Sequence, residues 1–126
     1  AVALETLKIY EERDIARQVG QISPYFLARL HQFGSHPLVG ETRGVGLIGA
    51  IELVQDKLSQ TNFDPELKVG PKVMGCAVKH GLLIRALVND TLAFCPPLII
   101  NEDQIDDMFN RFARALDDAE SIINSL

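Results

Sequence analysis

The apolar residues in the first third of the chain recur every three or four positions, the spacing that lines one face of an α-helix. Residues 1–12 already show this spacing, although no capping residue precedes them. A longer apolar stripe runs from Ile15 to Phe33 and predicts a second helix that continues, with a kink, through Pro24. Gly34 and Pro37 mark its end. The chain therefore begins with helical structure whose apolar stripe belongs to the core.

Residues 39–54 change to a composition typical of a β-strand, which is best defined over residues 47–54. The entrance to this strand holds Gly44, Gly46 and Gly49 in the spacing G-x-G-x-x-G. A dinucleotide-binding loop needs an apolar strand before this motif and a helix after it, and the sequence predicts neither. We therefore interpret the glycines as a bulge or a close approach of the backbone to a neighbour. A nucleotide-binding domain remains only a rival prediction.

The middle of the second half predicts a helix followed by a hairpin. Asp64 and Pro65 are suited to cap and begin the helix, and residues 70–71 are an alternative start. The helix ends before Gly81. Two apolar runs then flank Asn89-Asp90, a dipeptide that suits a two-residue hairpin turn.

The last segment predicts a long amphipathic helix. Asn101 followed by Gln104 has the spacing of a capping box at its start. Its expected buried face consists of Ile105, Met108, Phe109, Phe112, Leu116 and Ile123. Together with the preceding segments, this helix predicts an α+β fold in which helices pack on a small antiparallel sheet.

Composition narrows the class of protein. A chain of 126 residues with 47% hydrophobic and 23% charged residues fits one domain with a single core. The net charge of -5, without a basic run, argues against a nucleic-acid partner. No apolar stretch approaches the roughly 20 residues that cross a bilayer. The two cysteines, Cys76 and Cys95, do not resemble a disulfide framework, so we expect a cytoplasmic protein.

One charged residue does not fit the apolar hairpin. With a two-residue turn, Arg85 lies opposite Phe94 and shares a sheet face with Leu83 and Leu87. A guanidinium is costly to bury without an anion, so this placement predicts a partner for Arg85. The partner is either an acid of the same fold, with Glu52 as the candidate, or a carboxylate on a bound substrate.

Other residues with reactive side chains do not form a recognisable site. His31, His36 and His80 lack the spacing of metal ligands. The acids at the start of the last helix are those that a helix dipole favours, and no metal is expected there. Lys72 and Lys79 are expected in solvent, which argues against covalent chemistry with a carbonyl group. On these residues alone, a free-standing α+β ligand-binding or regulatory module is an open alternative.

Four segments in sequence carry a resemblance to a known family. They are residues 40–53, residues 63–65, Gly81 to Arg85, and Cys95-Pro96-Pro97-Leu98. In this order they resemble the C-terminal part of class III pyridoxal-phosphate-dependent aminotransferases, especially the omega-amino-acid or amine:pyruvate group. The resemblance covers essentially all of residues 1–126. It implies one C-terminal small domain of a fold-type I pyridoxal-phosphate enzyme, with residues 1–12 ending a helix from a missing large domain and residues 13–126 forming the small domain.

The resemblance also implies a reaction. The parent enzyme would move an amino group from an amine or omega-amino acid to a keto acid such as pyruvate, through pyridoxal phosphate, as a homodimer or larger assembly. In such enzymes the large domain supplies the lysine that binds the cofactor, and nothing here matches that lysine's motif. Arg85 aligns with the mobile arginine that binds the substrate carboxylate. The resemblance thus assigns substrate binding and domain closure to this chain, and we expect the chain by itself to be inactive.

Overall fold

The computed structural model describes residues 1–125, which contain four α-helices and four β-strands. The helices are α1 (Val2–Glu12), α2 (Ile15–His31), α3 (Val69–Lys79) and α4 (Glu102–Ile123). The strands are β1 (Val39–Val45), β2 (Ile48–Leu53), β3 (Arg85–Ala86) and β4 (Thr91–Phe94). They form one antiparallel sheet in the order β1-β2-β4-β3. The predicted α+β fold with a small antiparallel sheet is confirmed.

The first two helices meet at Asp14, whose left-handed φ of 49° separates them. Helix α1 buries none of its residues. Helix α2 is continuous through Pro24, as predicted, and buries Ile15, Phe26 and Leu30 on the side that faces the core. The apolar stripe therefore docks α2 on the protein, whereas α1 keeps its apolar residues in solvent.

Residues 39–54 form two strands, so the prediction of one strand was wrong. Strands β1 and β2 pair antiparallel from Val45 opposite Ile48. The turn between them is Gly46-Leu47, and Gly46 has a φ of 58°. A two-residue hairpin turn with positive φ at its first central residue favours glycine there. One of the three glycines thus reverses the chain.

The other two glycines lie opposite each other across β1 and β2, beneath helix α2. A Cβ atom on Gly44 would lie 2.7 Å from Leu27 Cδ2, and one on Gly49 would lie 2.9 Å from Leu30 Cδ2. Both distances are shorter than real Cβ contacts, so the helix can approach the sheet this closely only over glycine. The interpretation of the motif as a close backbone approach is confirmed.

Asp64 and Asn101 both form caps, but only Asn101 caps the α-helix that the sequence predicts for it. Asp64 Oδ1 accepts a hydrogen bond from the Glu66 amide at 2.9 Å, but it caps a short 3₁₀ helix, Pro65–Leu67. Helix α3 begins afterwards at Val69, near the alternative start. The capping box of α4 is present, with the Gln104 amide 2.9 Å from Asn101 Oδ1. Of its expected buried face, all members are buried except Met108, which is partly exposed.

The core lies between the helices and one face of the sheet. Five aromatic rings form its centre, with centroids of neighbouring rings 4.9 to 5.7 Å apart. These rings belong to Phe26, Phe33, Phe94, Phe109 and Phe112. They come from α2, the 3₁₀ helix Gln32–Ser35 that follows it, β4 and α4, so burying them fixes α2 and α4 to the same side of the sheet. Within residues 1–125, the opposite side has no helix packed across it.

Candidate functional site

Arg85 lies on the side of the sheet that faces away from the core. It pairs with Ala93, and Ala86 pairs with Leu92. The expected pairing of Arg85 with Phe94 was therefore wrong by one residue. Because successive side chains of a strand point to opposite faces, this shift separates Arg85 from the face that carries Phe94. Arg85 is exposed, so its charge is solvated and the predicted cost of burial does not arise in this chain.

The shift in register comes from the length of the turn. Asn89 and Asp90 both have positive φ, 55° and 48°, as the dipeptide predicted. The Leu87 amide, however, donates a hydrogen bond to the Thr91 carbonyl oxygen at 2.7 Å. The loop therefore contains three residues, 88–90, instead of two, and every pair of this hairpin moves by one position.

We call the sheet surface that faces away from the core the outer face. Its side chains include Glu41, Arg43, Val45, Ile48, Ala50, Glu52, Ala93 and Arg85. One transverse row runs Arg43, Ala50, Ala93, Arg85, one residue from each strand. With a strand spacing of about 4.8 Å, the two arginine Cα atoms lie roughly 14 Å apart. The outer face thus has an arginine at each edge and small residues between them.

Arg43 is paired within the fold. Its Nη1 atom lies 2.9 Å from Glu41 Oε2 and 2.8 Å from Glu52 Oε2. The hydrogen bond to Glu52, together with the charges of both carboxylates, raises the pKa of Arg43 above its ordinary value. Glu52, which the sequence suggested as a partner for Arg85, is therefore the partner of Arg43. That suggestion was wrong.

Arg85 has no acid partner among residues 1–125 within salt-bridge distance. The acid next to it in the hairpin, Asp90, is engaged elsewhere, because its Oδ1 atom accepts a hydrogen bond from the Gly70 amide at 2.7 Å. The two arginines of the row therefore differ. Arg43 is neutralised by the fold, and Arg85 presents a free guanidinium.

Exposed apolar side chains lie on the same side of the protein as this guanidinium. Val45 is 73% exposed, Ile48 is 60% exposed and Leu87 is 42% exposed. Exposed apolar residues that cluster on one surface often mark a site of interaction with another protein or a ligand. The outer face is therefore the best candidate for a functional surface in the described part of the chain.

The other candidate residues are dispersed, as the sequence predicted. His31 contacts Thr42, whereas the other two histidines contact acids of α4. His36 Nε2 lies 3.6 Å from Glu120 Oε2, and His80 Nε2 lies 2.8 Å from Asp118 Oδ2. The last two contacts join surface elements to α4, and the three histidines do not converge on one cavity.

Sequence reasoning missed the ion pairs of Arg43 and the bond from Gly70 to Asp90. A signal for the ion pairs was present, because Glu41 and Arg43 are two positions apart, the spacing that places two side chains on the same face of a strand. The second joins residues 20 positions apart and left no local signal.

Among residues 1–125, no helix is long and apolar enough to cross a membrane.

Comparisons with known proteins all identify one group. The family model for class-III aminotransferases matches residues 1–116. The chloroplastic gamma-aminobutyrate transaminase 3 of Solanum lycopersicum is 40% identical over all 126 residues, which cover 24% of that protein. The putrescine–pyruvate aminotransferase of Pseudomonas aeruginosa is 37% identical over 124 residues, 98% of this chain and 27% of that protein.

Solved structures agree with the sequence comparisons. The crystal structure of an omega-transferase from Vibrio fluvialis superposes with a TM-score of 0.94 at 33% identity, covering 99% of this chain and 30% of that one. A transaminase with L-alanine superposes with a TM-score of 0.89 at 44% identity, covering 97% of this chain and 28% of that one. The chain thus spans about a quarter of the length of the proteins it matches.

Proposed function

The chain belongs to the class-III aminotransferase family, and we propose that residues 1–126 are the C-terminal small domain of such an enzyme. Residues 1–12 are then the end of a helix from the large domain, and residues 13–126 are the small domain itself. Two observations support this division. Asp14 breaks the helical structure after residue 12, and α1 buries none of its residues against the rest of the chain. Its apolar side chains are thus free to pack on a large domain.

The family implies pyridoxal phosphate, which carries the amino group from one substrate to the other when it is bound. The residues of this chain do not fit the covalent site of that cofactor. None of its lysines is buried, and Lys57 donates to the backbone carbonyls of Gly34 and His36. A lysine that reacts with carbonyl compounds needs an environment that lowers its pKa, such as an apolar pocket. We therefore place the cofactor mainly on the large domain.

The contribution of this chain is substrate binding through Arg85. A planar guanidinium binds a carboxylate by donating two parallel hydrogen bonds to its oxygens, and an apolar surrounding strengthens such a pair. Arg85 gains this setting when the small domain closes and the exposed apolar residues of the outer face are buried with it. The observation that carries the proposal is the contrast within one row, in which Arg43 has two carboxylates from the fold and Arg85 has none.

Arg85 is also placed where it can move. It belongs to a strand of two residues at the edge of the sheet, with β4 as its single neighbouring strand. Short edge segments with few hydrogen bonds open at low cost. The side chain can bind a keto-acid carboxylate and swing aside for an uncharged amine, so one pocket serves the amine or omega-amino acid and the keto acid such as pyruvate.

Assembly and location follow from the same proposal. The apolar outer face and α1 become buried when the small domain closes over the large domain in a homodimer or larger assembly. Cys76 and Cys95 are both free thiols, which fits the reducing cytoplasm. The name of the tomato relative places that protein in the chloroplast. Cell fractionation of this protein distinguishes the two locations.

The test is Arg85→Ala in the full-length enzyme. Loss of charge-assisted hydrogen bonds worth about 1.5–3 kcal/mol raises the KM for pyruvate roughly 10- to 150-fold. The KM for an amine donor without a carboxylate should change little, because that substrate gives the guanidinium nothing to bind. Steady-state kinetics with each substrate varied in turn measure both constants.

The matched control is Arg114→Ala, which removes another exposed arginine that forms no salt bridge within residues 1–125. We expect both KM values to stay unchanged in that variant. Equal losses with the keto acid and the amine in Arg85→Ala, or a loss chiefly of stability, would show that Arg85 does not bind the substrate carboxylate.

A further inference from the structure

The tip of the β3–β4 hairpin is fastened to two other elements through one residue. Asp90 Oδ1 accepts a hydrogen bond from the Gly70 amide at 2.7 Å, at the start of α3. The Asp90 carbonyl oxygen accepts a second bond from the Leu53 amide at 3.3 Å, at the end of β2. Asp90 therefore sets the position of the hairpin relative to both the helix and the centre of the sheet.

Helix α3 depends on this contact because it lacks a cap of its own. Its N-cap residue is Lys68, which has a φ of 50° and provides no side-chain acceptor. The first amides of a helix need acceptors, and a carboxylate there also interacts favourably with the helix dipole. Asp90 supplies that carboxylate from a residue 20 positions away in the sequence.

The contact is also tightly packed. Gly70 is buried, and a Cβ atom on it would lie 3.2 Å from both Cα and Oδ1 of Asp90. That spacing is tighter than about nine in ten real Cβ contacts, so a side chain at residue 70 would displace the tip by a few tenths of an ångström. Glycine at this position lets the hairpin lie directly against the helix.

The strand that carries Arg85 is short and lies at an edge of the sheet. Strand β3 contains two residues and pairs on one side only. On its inner side Ile84 and Ala86 pack, partly buried, against the core, whereas Leu83 and Val88 are 86% and 83% exposed. The core contacts hold the inner side of the strand, and the anchored tip adds a constraint at the end of the hairpin. We propose that Asp90 is a positioning residue for Arg85, which it holds at the place where the guanidinium meets the substrate carboxylate.

This inference rests on the proposed function of Arg85, and the test separates the two. The first variant is Asp90→Gly in the full-length enzyme, because glycine removes the carboxylate and still accepts the positive φ of residue 90. Loss of a helix cap changes an equilibrium constant by a factor of about five, here the equilibrium between the hairpin tip bound to α3 and the tip released from it. Because only the bound tip places Arg85 correctly, the KM for pyruvate should rise about two- to fivefold. The KM for an uncharged amine should not change.

The conservative variant separates geometry from charge. Asp90→Asn keeps an oxygen acceptor and tolerates positive φ, so it should restore the KM for pyruvate to within twofold of the wild-type value. Asp64→Ala is the matched control. It removes a similar cap, which bonds the Glu66 amide at 2.9 Å in the adjacent 3₁₀ helix, and it should leave both KM values unchanged.

A double variant tests whether Asp90 acts through Arg85. If it does, Arg85→Ala with Asp90→Gly has the same KM for pyruvate as Arg85→Ala alone. Hydrogen exchange gives a readout independent of activity, since amides of residues 85–92 should exchange faster in Asp90→Gly and not in Asp64→Ala. Gly70→Ala, which displaces the tip and keeps the carboxylate, should also raise the KM for pyruvate.

These variants distinguish a failure of the proposed role of Arg85 from a failure of the proposed role of Asp90. If Arg85→Ala leaves the KM for pyruvate unchanged, the proposed function fails and the role of Asp90 fails with it. If Arg85→Ala has its effect while Asp90→Gly and Gly70→Ala do not, only the role of Asp90 is wrong. Additive effects in the double variant, or no rescue by Asp90→Asn, would likewise overturn it.

Discussion

The close approach of α2 to the sheet should make Gly44 intolerant of any side chain. Replacing it with alanine places a Cβ atom 2.7 Å from Leu27 Cδ2 and 2.8 Å from the carbonyl oxygen of Ile48. Ordinary contact begins at 3.4 Å, so the first distance is too short by 0.7 Å. Leu27 can move to another rotamer, but the carbonyl belongs to the backbone of β2 and cannot. Gly44→Ala must therefore separate the two strands or lift the helix.

The cost can be bounded from the structure. Overpacking that shifts backbone costs about 1–3 kcal/mol. Alanine recovers about 0.5–1 kcal/mol because it is more restricted than glycine in the unfolded chain. A clash with a backbone atom belongs in the upper half of the overpacking range, so the net loss is about 1–2.5 kcal/mol, which for a chain of this length lowers Tm by roughly 3–15 °C. The expected sign is destabilising.

Thermal denaturation followed by circular dichroism measures this loss, and two other glycines provide the control. A Cβ atom on Gly20 in α2 or on Gly75 in α3 would meet no atom within 4 Å. Alanine there should raise stability by about 0.5–1 kcal/mol, since glycine is a poor helix former. The three variants thus share one chemical change and differ in sign. A Gly44→Ala protein as stable as the wild type would refute the argument from close approach.

Two further predictions concern the contact between α2 and α4 and the absence of transaminase activity in residues 1–126 alone. Tyr25 Oη donates to both carboxylate oxygens of Asp106 at 2.9 Å, and this bond raises the Tyr25 pKa above its ordinary value near 10. The bond stabilises the fold fully below about pH 10, and this stabilisation is lost as pH rises through the raised pKa. Asp106→Asn should lower the pKa of Tyr25, which an ultraviolet titration measures in a protein that also carries Tyr10→Phe. An unchanged titration would contradict this. The 126-residue chain incubated with pyridoxal phosphate, an amine and pyruvate should give no transamination product and no specific covalent adduct, and a stoichiometric adduct on one lysine would show that the chemistry lies in this chain.

The helices were predictable because their signals are local. The apolar stripe of α2 and the capping box at Asn101 each depend on residues within a few positions of one another. Strand β1 lacked such a signal. Its core sequence, Gly40 to Gly44, is polar and contains none of the branched apolar residues typical of strands. Pairing with β2 and the close packing of α2 make it a strand, and those contacts are tertiary.

The register of the β3–β4 hairpin shows why the site could be predicted only in part. The sequence correctly predicted positive φ at Asn89 and Asp90, because both residue types tolerate it. It could not predict a loop of three residues, since Asp90 is held by amides of α3 and β2 that are distant in the sequence. A shift of one residue then moved Arg85 from the face of Phe94 to the face of Ala93.

That shift changes which partner Arg85 needs. On the core face, a guanidinium requires an acid of the same fold for stability, and Glu52 was the natural choice. On the outer face the requirement disappears, and the fold assigns Glu52 to Arg43 instead. A structural ion pair would hold Arg85 as two carboxylates hold Arg43 in the same row. Because the fold leaves Arg85 exposed and unpaired within residues 1–125, a carboxylate that binds it must come from outside this part of the chain.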